Sequence, residues 1–234
     1  MRGVSVSTAK QVAGDFAGFL NYSLPYDFHI RAAWRDIYGV ESTSGGAYHP
    51  AESADSRALV TIAAGNHASP AAIQRTLQHE ILGHMMLNTY TPQQKAHVLN
   101  QLIEAKDSPS LAPVWDKVNQ LYNDKSIGIR AEEVFCHIAE NTNIRAVASP
   151  GYDPLLISAS APTYAIVEAP IAYKIECAQA HKLQFQTFPD TDVHSQVSNV
   201  FECRQAAGNW LQDAPQQEAV ANISDHSRPK SPQM

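Results

Sequence analysis

The chain has few basic residues, and this scarcity limits the kinds of partner that its sequence indicates. Its 17 lysines and arginines are outnumbered by 23 aspartates and glutamates, giving a net charge of −6. Nucleic-acid binding depends on lysines and arginines that neutralise backbone phosphates, and the sequence shows no stripe of them. The sequence therefore predicts that nucleic acid is not a partner.

Long apolar runs and paired cysteines are also missing. No stretch approaches the ~20 apolar residues of a membrane-spanning helix, so we expect no membrane contact. Residues 1 to 20 lack the apolar core and cleavage site of a signal peptide, which predicts a cytoplasmic location, with translocation as an effector left open. Cys136, Cys177 and Cys203 form no CxxC pair and are odd in number, so reduced thiols are expected in place of disulfides.

What is present is the composition of a folded protein. Hydrophobic residues make up 44% of the chain and charged residues 17%, which is ordinary for a globular domain. We expect a core over residues 1–145 and a helical extension packing on it over residues 146–212, including a helix from Val193 to Leu211. The polar residues 213–234 cannot bury enough apolar surface to fold alone and predict a disordered tail.

The most informative stretch is His-Glu-Ile-Leu-Gly-His, from His79 to His84. It is one residue longer than the His-Glu-x-x-His signature, in which two histidines on one helical face bind zinc. Positions five apart diverge by about 140° on a regular helix, so the two histidines meet only if a π-type turn absorbs the extra residue. Gly83 lies where that distortion is expected, and glycine tolerates it best.

The segments around this motif predict an α+β fold with a small, mainly antiparallel sheet covered by helices. A strand is expected at Ala58 to Ala63, where β-branched residues are frequent. Ser69 and Pro70 then give a capping residue and an N-terminal proline for a helix that runs to about Asn88.

A catalytic zinc ion usually has three protein ligands, so a third is needed besides His79 and His84. Glu133 is the candidate that we favour, because it lies on a later predicted helix with a polar face. Glu132, Cys136 and His137 remain rival ligands on the same helix, although Glu132→Ala is expected to leave zinc binding intact. Glu80 then has no ligand role and can act as the general base on water. For Glu140, exposure to solvent is slightly favoured over contact with a ligating histidine.

The motif, followed about fifty residues later by Glu-Glu on a helix, resembles the zinc-binding pattern of dipeptidyl peptidase III. The wider succession from Leu24 to Asn141 resembles the zincin-type (gluzincin-like) metallopeptidase domain of large polyvalent proteins of phages and conjugative elements. The resemblance implies a zincin-like fold with one Zn²⁺ per chain, held by His79, His84 and Glu133 between the motif helix and the Glu-bearing helix. It also implies a metallopeptidase with Glu80 as catalytic base. In zincins the strand before the motif helix often forms the edge of the cleft, so the resemblance implies that an extended substrate would pair with Ala58 to Ala63.

The substrate implied by this resemblance is a peptide or protein, while the oligomeric state is not indicated. A peptidase also needs a group that stabilises the oxyanion. Several residues are candidates by type alone, and the sequence does not choose among Tyr152, Tyr164, Tyr173, His181 and His194. The competing hypothesis is a non-catalytic binding or scaffold protein, or a secreted effector, that keeps a structural metal site.

Overall fold

The computed structural model describes residues 3–21, 26–51, 56–149 and 163–180, and all structural statements below concern these residues. They form an α+β fold in which helices surround a three-stranded sheet. The strands are β1 (Tyr26–Arg31), β2 (Gly46–His49) and β3 (Ala58–Ala63). The α-helices are α1 (Val6–Phe19), α2 (Arg35–Tyr38), α3 (Pro70–Leu77), α4 (Pro92–Glu104), α5 (Ala112–Leu121), α6 (Ile127–Ala139), α7 (Ile144–Val147) and α8 (Ala169–Gln179).

The sheet has the order β1-β3-β2 and is mixed, which corrects the prediction of a mainly antiparallel sheet. β1 runs parallel to β3, and β2 runs antiparallel to it. The parallel pairing is possible because the connection between β1 and β3 includes α2 and β2, which return the chain to the end from which β1 starts.

β3 is the central strand, so the prediction that it forms the edge of the cleft is wrong. Val60, Thr61 and Ile62 are fully buried, which explains why this segment reads as an apolar, β-branched run. The strand that lines the cleft is β2, through Gly46, Ala47 and Tyr48.

The motif lies on a π-helix, as the spacing of its histidines predicts. Ser69 caps α3 by accepting a hydrogen bond from the backbone N–H of Ala72, and Pro70 occupies the first turn. At Leu77 the α-helix passes directly into a π-helix (Gln78–Met85), hereafter the motif π-helix. Because the wider turn absorbs the extra residue, His79 and His84 face the same side while the apolar stripe of the helix stays in the core.

Glycine is required at position 83 for a different reason from the backbone distortion that the sequence indicates. Its φ angle lies outside the left-handed region, so backbone freedom is not the requirement. A Cβ atom at this position would lie 2.6 Å from the Sγ atom of Cys136 and 2.9 Å from its Cα atom. Glycine therefore allows α6 to approach the motif π-helix closely, and this contact brings the glutamates of α6 to the histidines.

Residues 163–180 pack against the rest of the described chain through a short π-helical segment (Tyr164–Glu168) and α8. Ile171 and Ile175 are buried, and the Nζ atom of Lys174 lies 4.1 Å from the centre of the Tyr90 ring. The predicted boundaries at residues 145 and 212 stay predictions. The helix predicted from Val193 to Leu211 and the disordered tail predicted over residues 213–234 lie outside the described residues. Within the described segments, no helix is long and apolar enough to cross a membrane.

Replacing Gly83 by Ala is expected to lower the free energy of unfolding by about 1–3 kcal/mol, because the new Cβ atom would overlap Cys136. Denaturant unfolding measures this change. Gly14→Ala is the matched control, since Gly14 lies within α1 with nothing within 4 Å of an added Cβ. That substitution should be neutral or raise stability by up to about 1 kcal/mol. Equal effects at the two positions would show that the helix contact does not require glycine.

Candidate metal centre

The motif π-helix and α6 bring two imidazoles and a carboxylate to one place. The Nε2 atom of His79 lies 3.6 Å from Oε2 of Glu133, and the Nε2 atom of His84 lies 3.8 Å from Oε1 of the same residue. The centres of the two imidazole rings are 5.2 Å apart. The three residues that the sequence nominates as ligands therefore converge, although they come from helices separated by about fifty residues.

The other ring nitrogen of each histidine is engaged by a carboxylate. The Nδ1 atom of His79 lies 3.2 Å from Oε2 of Glu140, and that of His84 lies 2.9 Å from Oε1 of Glu132. When Nδ1–H donates to a carboxylate, the lone pair is left on Nε2, the atom that faces Glu133. Such carboxylate–histidine pairs are typical of metal-ligating histidines, because they orient the ring and raise its basicity.

Both orienting carboxylates differ from their sequence-based interpretation. Glu140 contacts His79 and does not simply face solvent. Glu132 contacts His84, so the expectation that Glu132 has no influence on the metal site does not fit the structure. The adjacent glutamates were the sequence signal for this arrangement. Neighbouring residues on a helix point about 100° apart, so Glu132 and Glu133 contact different atoms of the same centre.

Glu133 carries an atom that suits a cation. Its Oε2 atom is buried and finds no hydrogen-bond partner among the described residues. Burial raises the pKa of Glu133, but His79 and His84 lower it by more, so the pKa lies below its ordinary value and the carboxylate stays ionised. In the metal-free chain the protonated imidazole of His79 compensates this charge, and a metal ion that displaced the proton would take over that role.

The rival ligands Cys136 and His137 also lie close to the two motif histidines. Among the described residues, metal-ligating atoms lie within 4.8 Å of one another in two sets. One set is His79, His84 and Cys136, and the other is His79, His137 and Glu140. Glu133 belongs to neither set, and its two carboxylate oxygens face different histidines. Cys136 is fully buried against Gly83, and burial raises its pKa well above the usual value, which disfavours the ligating thiolate.

His137 packs against His79, with the centres of the two rings 5.2 Å apart. Its Nδ1 atom is 3.3 Å from Oε1 of Glu140 and 3.4 Å from Nζ of Lys117. Its Nε2 atom is buried with no hydrogen-bond partner among the described residues. It therefore packs beside the carboxylate that orients His79, and Glu133 stays the favoured third ligand because it lines the cleft.

A cleft of about 380 Å³ opens onto the two histidines and Glu133. Glu80 also lines it, and this residue is largely buried. The remaining walls come from β2, the segment after it, α6 and the end of α5, with Tyr122 next to Glu133. A small molecule or a segment of a larger one could thus reach the candidate metal position from one side while helices close the other.

The charges around the centre favour a positive charge at this point. Burial alone would lower the pKa of His79, but the carboxylates of Glu133 and Glu140, which face its two ring nitrogens, raise it to about 10. Burial likewise opposes protonation of His84, and Glu132 raises its pKa above the usual value. The carboxylates around the two histidines thus favour a positive charge at this point, which a proton or a metal cation can supply.

Sequence reasoning missed Tyr122 as a cleft residue. Its proximity to Glu133 depends on how α5 packs on α6, and burial together with the Glu133 carboxylate raises its pKa above the ordinary value. Of the residues named by type as oxyanion candidates, Tyr173 is exposed on α8 and does not line the cleft. Tyr152, His181 and His194, and the side chain of Tyr164, lie outside the described residues.

Part of the chain is similar to a protein described as DNA primase TraC from Escherichia coli. The two are 37% identical over 130 residues, which cover 52% of this chain and 9% of that protein. The chain thus spans less than a tenth of the length of the relative that it matches. No protein-family model and no solved structure matches the chain.

This similarity corrects the predictions of family, reaction, substrate and partner that were made from the sequence. The recognition of the chain as a zincin-type metallopeptidase, and with it the prediction of peptide hydrolysis, is contradicted by a relative that is described as a DNA primase. The prediction of a peptide or protein substrate depended on that recognition and is contradicted with it. The prediction that nucleic acid is not a partner is also contradicted, because it came from average charge, which does not exclude a local contact with DNA. The alternative of a non-catalytic scaffold gains no better support.

Replacing Glu132 or Glu140 by Gln is expected to weaken zinc binding by about 10–100-fold without abolishing it, because each carboxylate orients one histidine. Competition with a chromophoric chelator measures the affinity. Glu104→Gln on α4 is the control, because Glu104 does not line the cleft. If Glu132→Gln and Glu140→Gln bind zinc as tightly as the unmodified protein, the carboxylates do not position the ligands.

Proposed function

We propose that this chain is a metal-dependent enzyme domain that binds one zinc ion through His79, His84 and Glu133 and that works with DNA. The observation that carries the metal proposal is the arrangement of the two histidines. Each presents Nε2 to the same carboxylate while its Nδ1 is held by a different one. All four ring nitrogens of the two histidines therefore face one of three carboxylates, and the two Nε2 atoms face the same one.

The chemistry of these ligands favours zinc over magnesium. Imidazole nitrogens with one carboxylate suit zinc, whereas magnesium prefers a shell of oxygen atoms and keeps several waters. The cleft supports a reactive centre over a closed structural one, because three protein ligands leave a position open on the side of the solvent. When bound, zinc supplies a Lewis acid that lowers the pKa of an oxygen ligand.

Glu80 is the residue that supports an enzyme over a passive metal site. It directly follows His79 and lines the cleft, and its carboxylate can accept a proton from a water molecule or hydroxyl group that lies there. A purely structural zinc site would not need a carboxylate at this place. We propose that Glu80 is the general base and that it is not a metal ligand.

The proposal of a role with DNA comes from the similarity to DNA primase TraC. A primase is an enzyme that acts on nucleic acid, and a segment related to part of it can serve the same process. The excess of acidic residues opposes binding to phosphates on average, so contact with DNA would have to be local and sensitive to salt.

The purified protein is expected to contain about one zinc ion per chain. His79→Ala, His84→Ala and Glu133→Ala each remove a ligand and should strongly weaken zinc binding, whereas Glu80→Gln should retain zinc. Elemental analysis after reconstitution at neutral pH measures the metal content.

The four variants also separate the proposed roles from one another. Loss of zinc in Glu80→Gln would make Glu80 a ligand and remove its role as a base. Retention of zinc in Glu133→Ala would point to Cys136 or His137 as the third ligand. Only trace zinc in the unmodified protein would remove the metal centre altogether.

A fluorescently labelled single-stranded oligonucleotide should bind to the zinc-loaded chain, with an affinity that falls as salt is raised from 50 to 200 mM. Fluorescence anisotropy measures this binding, and a labelled polyglutamate of similar length controls for unspecific attraction of anions. If the oligonucleotide does not bind at 50 mM salt, or binds no better than polyglutamate, DNA is not a direct partner of this chain. The zinc proposal is unaffected by either result.

A further inference from the structure

A buried lysine lies behind the candidate metal centre. Lys95 is on α4, and only 2% of its surface is exposed. Its Nζ atom is 3.0 Å from Oε2 of Glu132 and 3.0 Å from Oδ1 of Asn88, so the ammonium group donates to both. Lysine is seldom buried to this degree unless its charge is paired, which makes this contact a specific feature of the fold.

Lys95 and His84 share Glu132 between them. The Oε2 atom of Glu132 accepts from Lys95, while its Oε1 atom lies 2.9 Å from Nδ1 of His84. Glu132 itself is only 6% exposed, so water does not compensate its charge to any large extent. The carboxylate thus has one oxygen for the lysine and one for the histidine.

We propose that Lys95 is a positioning residue of the metal centre, which holds Glu132 in the orientation that directs the Nε2 atom of His84 to the metal. This inference rests on the proposed zinc site and adds a residue that does not line the cleft. Lys95 acts on the metal only through Glu132 and His84.

The carboxylates that contact the two histidines differ in the exposure of the lysine beside them, which supports a specific role for the buried lysine. Glu140, the partner of His79, has Lys117 as its nearest lysine at 3.8 Å, and the side chain of Lys117 is 54% exposed. A pair in contact with solvent contributes little to holding a side chain. A buried pair behaves differently, because removing one partner leaves an uncompensated charge that forces the other to move or to become neutral.

Lys95 also reaches the wall of the cleft. Asn88 accepts from Lys95 through Oδ1, and its Nδ2 atom lies 3.4 Å from the hydroxyl oxygen of Tyr48. Tyr48 belongs to β2 and lines the cleft. A single buried ammonium group thus connects the orienting carboxylate of one ligand with the strand that faces it across the cleft.

The test compares Lys95→Met with Lys174→Met. Lys174 is the matched control because it is also buried, at 8% exposure, with its Nζ atom 3.4 Å from the carbonyl oxygen of Thr89. Both substitutions remove a buried ammonium group and keep an aliphatic chain of similar length. Zinc affinity, measured by competition with a chelator, should fall about 10–100-fold in Lys95→Met and stay unchanged in Lys174→Met.

A second measurement separates positioning from general destabilisation. In the Glu132→Gln background, Lys95→Met should have little further effect on zinc affinity, because the residue through which Lys95 acts has already been changed. An equal fold-loss in both backgrounds would overturn the proposal and indicate a purely structural role. If Lys95→Met does not fold, Lys95→Gln replaces it in both comparisons, with Lys174→Gln as its control.

A third measurement does not use zinc. In the metal-free protein labelled with ¹⁵N-histidine, the proton on Nδ1 of His84 should be protected from exchange by its hydrogen bond to Glu132. Protection should persist in Lys174→Met and be lost in Lys95→Met. If the unmodified protein binds no zinc but shows this difference, the zinc proposal fails and the positioning role of Lys95 stands. If zinc binds and Lys95→Met behaves like Lys174→Met in affinity and protection, Lys95 does not position His84.

Discussion

The close contact between Gly83 and Cys136 is the constraint on which the candidate centre depends. It sets the distance between the motif π-helix and α6, since a side chain at position 83 would push the two helices apart. At the observed distance the glutamates of α6 reach the histidines of the motif π-helix. A slightly wider separation would leave buried carboxylates without partners, so packing and electrostatics require the same geometry.

The carboxylates on α6 and at its C-terminal end surround the two histidines, so that a cation at this point would balance their negative charge. Glu132 and Glu140 accept from the outer nitrogens of the two histidines, and Glu133 lies between their inner nitrogens. The resulting negative field raises the pKa of both imidazoles in the metal-free chain. The same field that retains protons attracts a metal ion, which explains how one arrangement can be stable before metal binding and suited to it afterwards.

The similarity to DNA primase TraC changes the setting in which this centre is interpreted. The chain matches only 9% of that long protein. The matched segment can therefore have a different activity from the one for which the whole protein is named. The ligand set suits zinc more than the oxygen-rich sites that magnesium prefers. The proposed zinc centre combines this ligand set with the similarity to a protein described as a DNA primase, and the proposal takes the place of the peptidase interpretation.

The sequence by itself determined the local features of this protein. The five-residue spacing of His79 and His84 required a π-helix, and Ser69 with Pro70 marked its approach, because helical periodicity and capping depend only on neighbouring residues. Tertiary structure decided what depends on distant segments: the central place of β3, the contact of Glu132 with His84 and the burial of Lys95 behind them. Strand order and helix packing join residues far apart in the chain, and hydrophobic patterning specifies that a face is buried without specifying which surface covers it.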